Sequence, residues 1–135
     1  LAIKAASPAI RTHGISMQLG AAMHASLQAG EPVEVQELPT LADSLGGGIG
    51  LDNRYTFAIT RELCDQVHLL DEASIARGIR HAYREERLVI EGAAAVGIAA
   101  LLDGLIKPRG PVVVVISGRN IDIDQHLRVI NGADA

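Results

Sequence analysis

The sequence predicts an α/β domain of three layers, with a mostly parallel sheet flanked by helices. Three observations carry this expectation. Strand-like and helix-like segments alternate along all 135 residues. Val112–Ile116 is a run of five β-branched residues, the pattern of a strand buried on both faces. Glu91–Leu102 is apolar nearly all round and built from small residues, the pattern of a helix held between layers. The aromatic residues are Tyr55, Phe57 and Tyr83 alone, so close packing must come from alanine, glycine and branched aliphatics.

In chain order, Leu1–Pro8 reads as the tail of a helix stopped by its proline. Residues 9–15 form a short strand. Leu19, Ala22, Met23, Ser26 and Leu27 lie on one helix face that Gly30 closes. Residues 33–37 alternate as an exposed strand or extended segment. Asp43–Gly50 is a glycine-rich loop. A second helix carries Leu51, Tyr55, Ala58, Ile59 and Leu63 on one side. Gln66–Leu70 reads as a strand, and Asp71 is a good N-cap for a helix facing inward through Ile75, Ile79, Ala82 and Tyr83. The helix at 91–102, the strand at 112–116 and an amphipathic helix from about Asp122 to Ile130 complete one domain over residues 1–135.

Composition excludes several function classes. A formal net charge of −4 and the lack of a basic stripe interleaved with aromatics argue against a nucleic-acid partner. Arg77, Arg80, Arg84 and Arg87 form a basic run, but Glu85 and Glu86 interrupt it, so a solvated helix face is expected. No apolar run approaches the ~18 residues that span a bilayer, and no signal-peptide pattern is present. A single cysteine, Cys64, excludes an internal disulfide and fits a cytoplasmic protein; it reads as core rather than nucleophile. His13, His24, His68, His81 and His126 show no metal-ligand spacing, so surface or satisfied histidines and no metal site are expected.

Ligands of doubly wound sheets bind beyond the carboxyl ends of strands, which singles out Ser117, Gly118 and Asn120 after the valine run. An ordinary turn after a buried strand would produce the same residues. Glu91 opens an apolar helix, where the helix dipole alone favours a carboxylate. Its burial at the edge of a sheet would also suit a ligand contact shared with Ser117. Gly46-Gly47-Gly48-Ile49-Gly50 matches a dinucleotide fingerprint only imperfectly and lacks a Walker-A lysine, so it reads as a mobile or ligand-contacting loop.

Four segments occur in order: Thr40-Leu41-Ala42-Asp43-Ser44, Ile49-Gly50-Leu51, Ile90-Glu91-Gly92-Ala93-Ala94-Ala95-Val96-Gly97, and Ile116-Ser117-Gly118-Arg119-Asn120-Ile121-Asp122. Together they resemble the carboxyl-terminal part of the fold-type-II pyridoxal-phosphate enzymes, the threonine dehydratase and serine racemase family. The wording from Ala42 to Tyr55 and from Ser117 to Asp122 resembles the hydroxyectoine-utilisation dehydratases within it. The resemblance covers the chain and implies pyridoxal 5'-phosphate as cofactor. It implies that Ser117 hydrogen-bonds the pyridine nitrogen, with Glu91, Gly118 and Asn120 also at the cofactor. Asp43, Ser44 and Gly46 belong to the loop passing close to cofactor and substrate. Ser44 stands where the family has glycine, and Arg119 replaces the second glycine of S-G-G-N.

Some relatives hold a divalent cation through acidic residues where this chain has Ser16 and Ala22, which again predicts no metal. The resemblance places the family's covalent lysine and its phosphate loop before Leu1. Lys4 and Lys107 stand in no matching context. Expected, then, is a β-eliminating dehydratase or ammonia-lyase of a hydroxy-amino acid, cytoplasmic and a homo-oligomer (dimer or tetramer), with no catalytic residue in this stretch and little activity in this stretch alone. The alternative is a non-catalytic ligand-binding or dimerisation module.

Overall fold

The computed structural model describes residues 1–134. Its elements are α1 (Ala2–Ala6), β1 (His13–Met17), α2 (Ala22–Ala29), α3 (Thr56–Leu63), β2 (Gln66–Leu70), α4 (Glu72–Arg84), α5 (Gly92–Leu102) and α6 (Ile123–Ile130), with a 3-10 turn at Asp43–Leu45. β1 and β2 pair in parallel, Met17 opposite Leu70 and His13 opposite Gln66. The α/β class and its parallel sheet are as expected. Among the described residues the sheet has two strands.

The core forms where the carboxyl end of this sheet meets α4 and α5. Met17 and Leu70 close one side, Ile75 and Ile79 another, and Ala94, Ala95, Ala99 and Ala100 fill the centre. Full burial of each isoleucine contributes roughly 1.5–3 kcal/mol. The alanines contribute chiefly by letting helices approach. Gly78 shows how close: a methyl there would meet the Ala95 carbonyl oxygen at 2.7 Å. α5 is therefore the buried helix its composition predicted.

Helix ends follow their caps. Asp71 accepts the Ser74 N–H at 2.7 Å, and Asp122 accepts the Gln125 N–H at 2.8 Å. Gly30 ends α2 in the left-handed conformation. After α4 the Leu88 N–H bonds back to the Ala82 carbonyl, with Arg87 at φ +61° inside the turn.

Several expectations are corrected. The 112–116 segment is extended but joins no ladder. Val114 packs on Gly97 of α5, while Val113 and Val115 on the other side are 90% and 77% exposed. One face is covered instead of two, because β1 and β2 pair only with each other. Residues 33–37 form no strand either, which leaves the other alternative, an unpaired segment. α3 begins at Thr56, because Asn53 Oδ1 accepts the Phe57 N–H at 2.9 Å and holds the chain before it as loop. Leu51 and Tyr55 are thereby left exposed and Phe57 is buried. Tyr83 is also exposed, its ring edge-on to His126.

The basic run on α4 is not simply solvated. Arg77 pairs with Asp103 at 2.6 Å, Arg80 donates to Ala133 O at 2.9 Å, and Arg84 donates to Ile130 O at 2.7 Å. The last two fasten the carboxyl end of α6, where carbonyls lack helical partners. Cys64 is half-buried at the sheet margin, its thiol donating to Gln66 O at 3.2 Å, rather than in the core.

Candidate cofactor site

Three chain segments meet at the start of α5. Glu91 is its N-cap residue and is buried. One carboxylate oxygen accepts the Asn120 backbone N–H at 2.9 Å, and the Glu91 N–H donates to Gly118 O at 3.4 Å. A side chain at Gly118 would place its Cβ 2.7–2.8 Å from the Glu91 carboxylate, so only glycine permits this stacking. Gly92 performs the same service on the other side, since a methyl there would run into the Leu41 carbonyl.

The Leu41 segment is held from behind by Glu72, the first residue of α4. Its carboxylate accepts the Thr40 hydroxyl at 2.6 Å and the Leu41 N–H at 2.7 Å. The Thr40 hydroxyl in turn accepts the Ala42 N–H at 3.1 Å. Sequence reasoning missed Glu72. Its contact with a loop some thirty residues earlier left no local signal in the sequence.

Two clefts flank this junction. The first, about 220 Å³, lies beyond the carboxyl end of β1 among Met17, Gly20, Thr40, Asp43 and Gly46. The second, about 470 Å³, runs between Arg87–Ile90 and Ile116–Arg119 and contains Ser117 and Gly118. The sequence-derived residues are thus divided. Asp43 and Gly46 line one cleft and Ser117 and Gly118 the other, while Glu91 and Gly92 line neither, Glu91 backing Gly118 and Gly92 backing Leu41. Ser44 lies exposed on the 3-10 turn, its N–H donating to Asp43 Oδ1 at 2.8 Å. Asn120 takes part through its backbone.

Gly47 and Gly50 adopt positive φ, and Asn53 Nδ2 ties the loop through Ile49 O at 2.8 Å. Among the described residues no strand leads directly into this loop, so the strand–loop–helix context of a dinucleotide site is missing. Among the described residues no three His, Cys, Asp or Glu side chains gather as a metal site. The histidines do not all fit the surface-or-satisfied expectation. His126 is buried with Nε2 unpartnered, and burial pushes its pKa down. His13 Nδ1 lies 3.0 Å from His68 Nε2, and His68 is shifted down by burial first, then by His13 and Arg11.

The second cleft suits the ring-nitrogen side of pyridoxal phosphate. Ser117 is an exposed hydroxyl at its wall, and Gly118 beside it is backed by the buried Glu91 carboxylate. Neither Lys4 nor Lys107 lines either cleft. Lys4 is engaged with Asp65 at 2.6 Å and Ile10 O at 2.8 Å, and Lys107 is exposed on the loop after α5.

Comparison with known proteins shows the family of the chain. A provisionally named threonine dehydratase of Sinorhizobium fredii is 57% identical over 132 residues, covering 97% of this chain and 40% of that protein. The L-threonine ammonia-lyase of Thermotoga maritima is 34% identical over 131 residues, covering 97% of this chain and 32% of the relative. Among solved structures, threonine deaminase isoform 2 of Solanum lycopersicum superposes with a TM-score of 0.83 at 29% identity, over 96% of this chain and 36% of that one. Maize serine racemase superposes with a TM-score of 0.81 at 25% identity, over 97% and 41%. The chain therefore spans well under half the length of these relatives. The family profile described as pyridoxal-phosphate dependent enzyme matches residues 1–118. By that match over most of its length, the chain belongs to the family of pyridoxal-phosphate-dependent enzymes.

Proposed function

We propose that this chain forms one wall of the active site of a threonine/serine-type dehydratase, an ammonia-lyase acting on a hydroxy-amino acid. The observation that carries the reading is the Ser117 hydroxyl beside Gly118, stacked on the buried Glu91 carboxylate. Bound pyridoxal phosphate supplies an electron sink for bond cleavage at the substrate α-carbon, which permits loss of a β-hydroxyl. Ser117 offers the pyridine nitrogen a neutral partner that does not force its protonation. Glu91 holds the Gly118–Asn120 turn in place, and Glu72 holds the Thr40–Asp43 segment that lines the neighbouring cleft. No lysine of the chain stands ready as base or as covalent anchor, so these residues shape a site without completing it.

The finer reading is hydroxyectoine utilisation, supported by the wording of Ala42–Tyr55 and Ser117–Asp122. A cytoplasmic location rests on the single free cysteine. We place the enzyme as a homo-oligomer, dimer or tetramer, without nucleic-acid or membrane partners. Among the described residues no helix is long and apolar enough to cross a membrane. The bare face of the 112–116 segment favours the second reading, an assembly module without catalysis of its own.

The test is to assay this chain and the full-length gene product with pyridoxal phosphate for 2-oxo acid and ammonia release. Threonine, serine and hydroxyectoine-derived amino acids are the substrates to compare. The full-length protein is expected to turn over and this chain is not. Turnover by this chain alone overturns the assignment of the lysine elsewhere. A full-length protein active on threonine but on no hydroxyectoine derivative overturns the finer reading.

A further inference from the structure

Arg87 is the only non-glycine residue at positive φ among the described residues. It lies in the turn after α4 that the Leu88 N–H closes on the Ala82 carbonyl, in a backbone region where glycine incurs no steric penalty. A backbone outlier of this kind points to a use for the side chain that occupies it. Arg87 lines the same cleft of about 470 Å³ as Arg119, the arginine that interrupts the glycine pair after Ser117. Among the described residues neither guanidinium has a carboxylate within ion-pair distance. Of the nearby acids, Glu86 lies 3.8 Å from His81 Nε2, and Glu91 accepts the Asn120 N–H. The residues lining the cleft include no acid, and Leu88–Ile90 among them are apolar, with the Glu91 carboxylate behind Gly118.

We propose that the cleft between Arg87–Ile90 and Ile116–Arg119 is an oxyanion site. In it the guanidiniums of Arg87 and Arg119 bind a carboxylate or phosphate group. A guanidinium offers paired donors matched to either group, and an apolar floor strengthens charge-assisted hydrogen bonds. The reading goes beyond the cofactor assignment and concerns a different pair of side chains.

The test is calorimetric titration of the protein with malonate and, separately, with inorganic phosphate, neither containing pyridoxal phosphate. Failure of the cofactor reading therefore leaves this readout intact. Saturable binding is expected, weakened about tenfold or more by Arg87→Gly and by Arg119→Gly. Glycine suits the Arg87 backbone, so Arg87→Gly is expected to melt at the same temperature or higher. Lost binding in that variant is then not lost folding. Tighter malonate binding assigns the anion to an organic acid, and tighter phosphate binding to a phosphate or phosphoester. No saturable binding of either anion, or undiminished affinity in either variant, overturns the proposal.

Discussion

The Glu91 carboxylate lies flat against Gly118, so close that a single methyl there would stand 2.7 Å from its nearer oxygen. A buried acid thus fixes the turn that presents Ser117, through contact with one glycine and one bond to the Asn120 N–H.

Gly118→Ala is expected to destabilise the protein by about 1–3 kcal/mol, because the carboxylate must leave its acceptor position. Urea unfolding measures this. A loss below about 0.5 kcal/mol would show that the turn tolerates a side chain and that the stacking is incidental.

Gly78→Ala tests the other tight approach, between α4 and α5. The added methyl would meet Ala95 O at 2.7 Å and Ala99 Cβ at 3.1 Å. Overpacking of this kind costs about 1–3 kcal/mol, which outweighs the helix-propensity gain of about 1 kcal/mol for removing glycine. A more stable variant contradicts the packing account.

Glu72→Ala removes the acceptor for Thr40 Oγ1 and Leu41 N. Amide exchange at Leu41 and Ala42 is expected to quicken by about tenfold or more, with α5 amides little changed. Unchanged exchange at Leu41 would mean that Gly92 alone positions the segment.

Asp65 is held well below the usual carboxylate range, first by Lys4 and then by the Thr12 N–H. Its folded-state pKa is depressed, so its contribution to stability is present above the ordinary value and is lost as acid protonates it in the folded state. Asp65→Asn is expected to flatten the acid limb of the stability profile below about pH 4. An unaltered acid limb would exclude this pair from acid unfolding.

His126 and His68 both titrate below the ordinary histidine value, each chiefly because of burial. As the pH falls through about 6.5 the unfolded chain takes up protons that the folded chain refuses, so stability declines. His126→Leu removes an unpartnered buried nitrogen. It is expected to be neutral or stabilising by up to about 1 kcal/mol and to reduce that acid sensitivity. A loss of more than about 2 kcal/mol in this variant would indicate a partner for Nε2.

Much of this arrangement was legible in local pattern. Asp71 and Asp122 announced their helices because a side-chain acceptor before an amphipathic run has one common use. Gln66–Leu70 and the small-residue helix α5 were equally plain. The valine run was legible as a strand by composition, but pairing is a property of neighbours, and β1 and β2 bond only each other. Tyr55 and Leu51 were misplaced because periodicity ran on through Asn53, whose side-chain amide ends the loop instead. At the site, Ser117, Gly118 and Glu91 stood out by residue type. Glu72 did not, since its role depends on a loop some thirty residues earlier folding back onto α4. Arg87 was hidden for a related reason: an arginine in a charged stretch looks ordinary until its backbone angle is known.

The uncovered side of Val112–Ile116 has a consequence for handling the molecule. An extended, uncharged, β-branched segment with free backbone groups is a template for like segments of other copies. At raised concentration the 135-residue chain should form thioflavin-positive assemblies seeded there. Lysine at Val113, on the bare side, should suppress them while leaving Val114 seated on α5, turning a colloidal problem into a one-residue remedy.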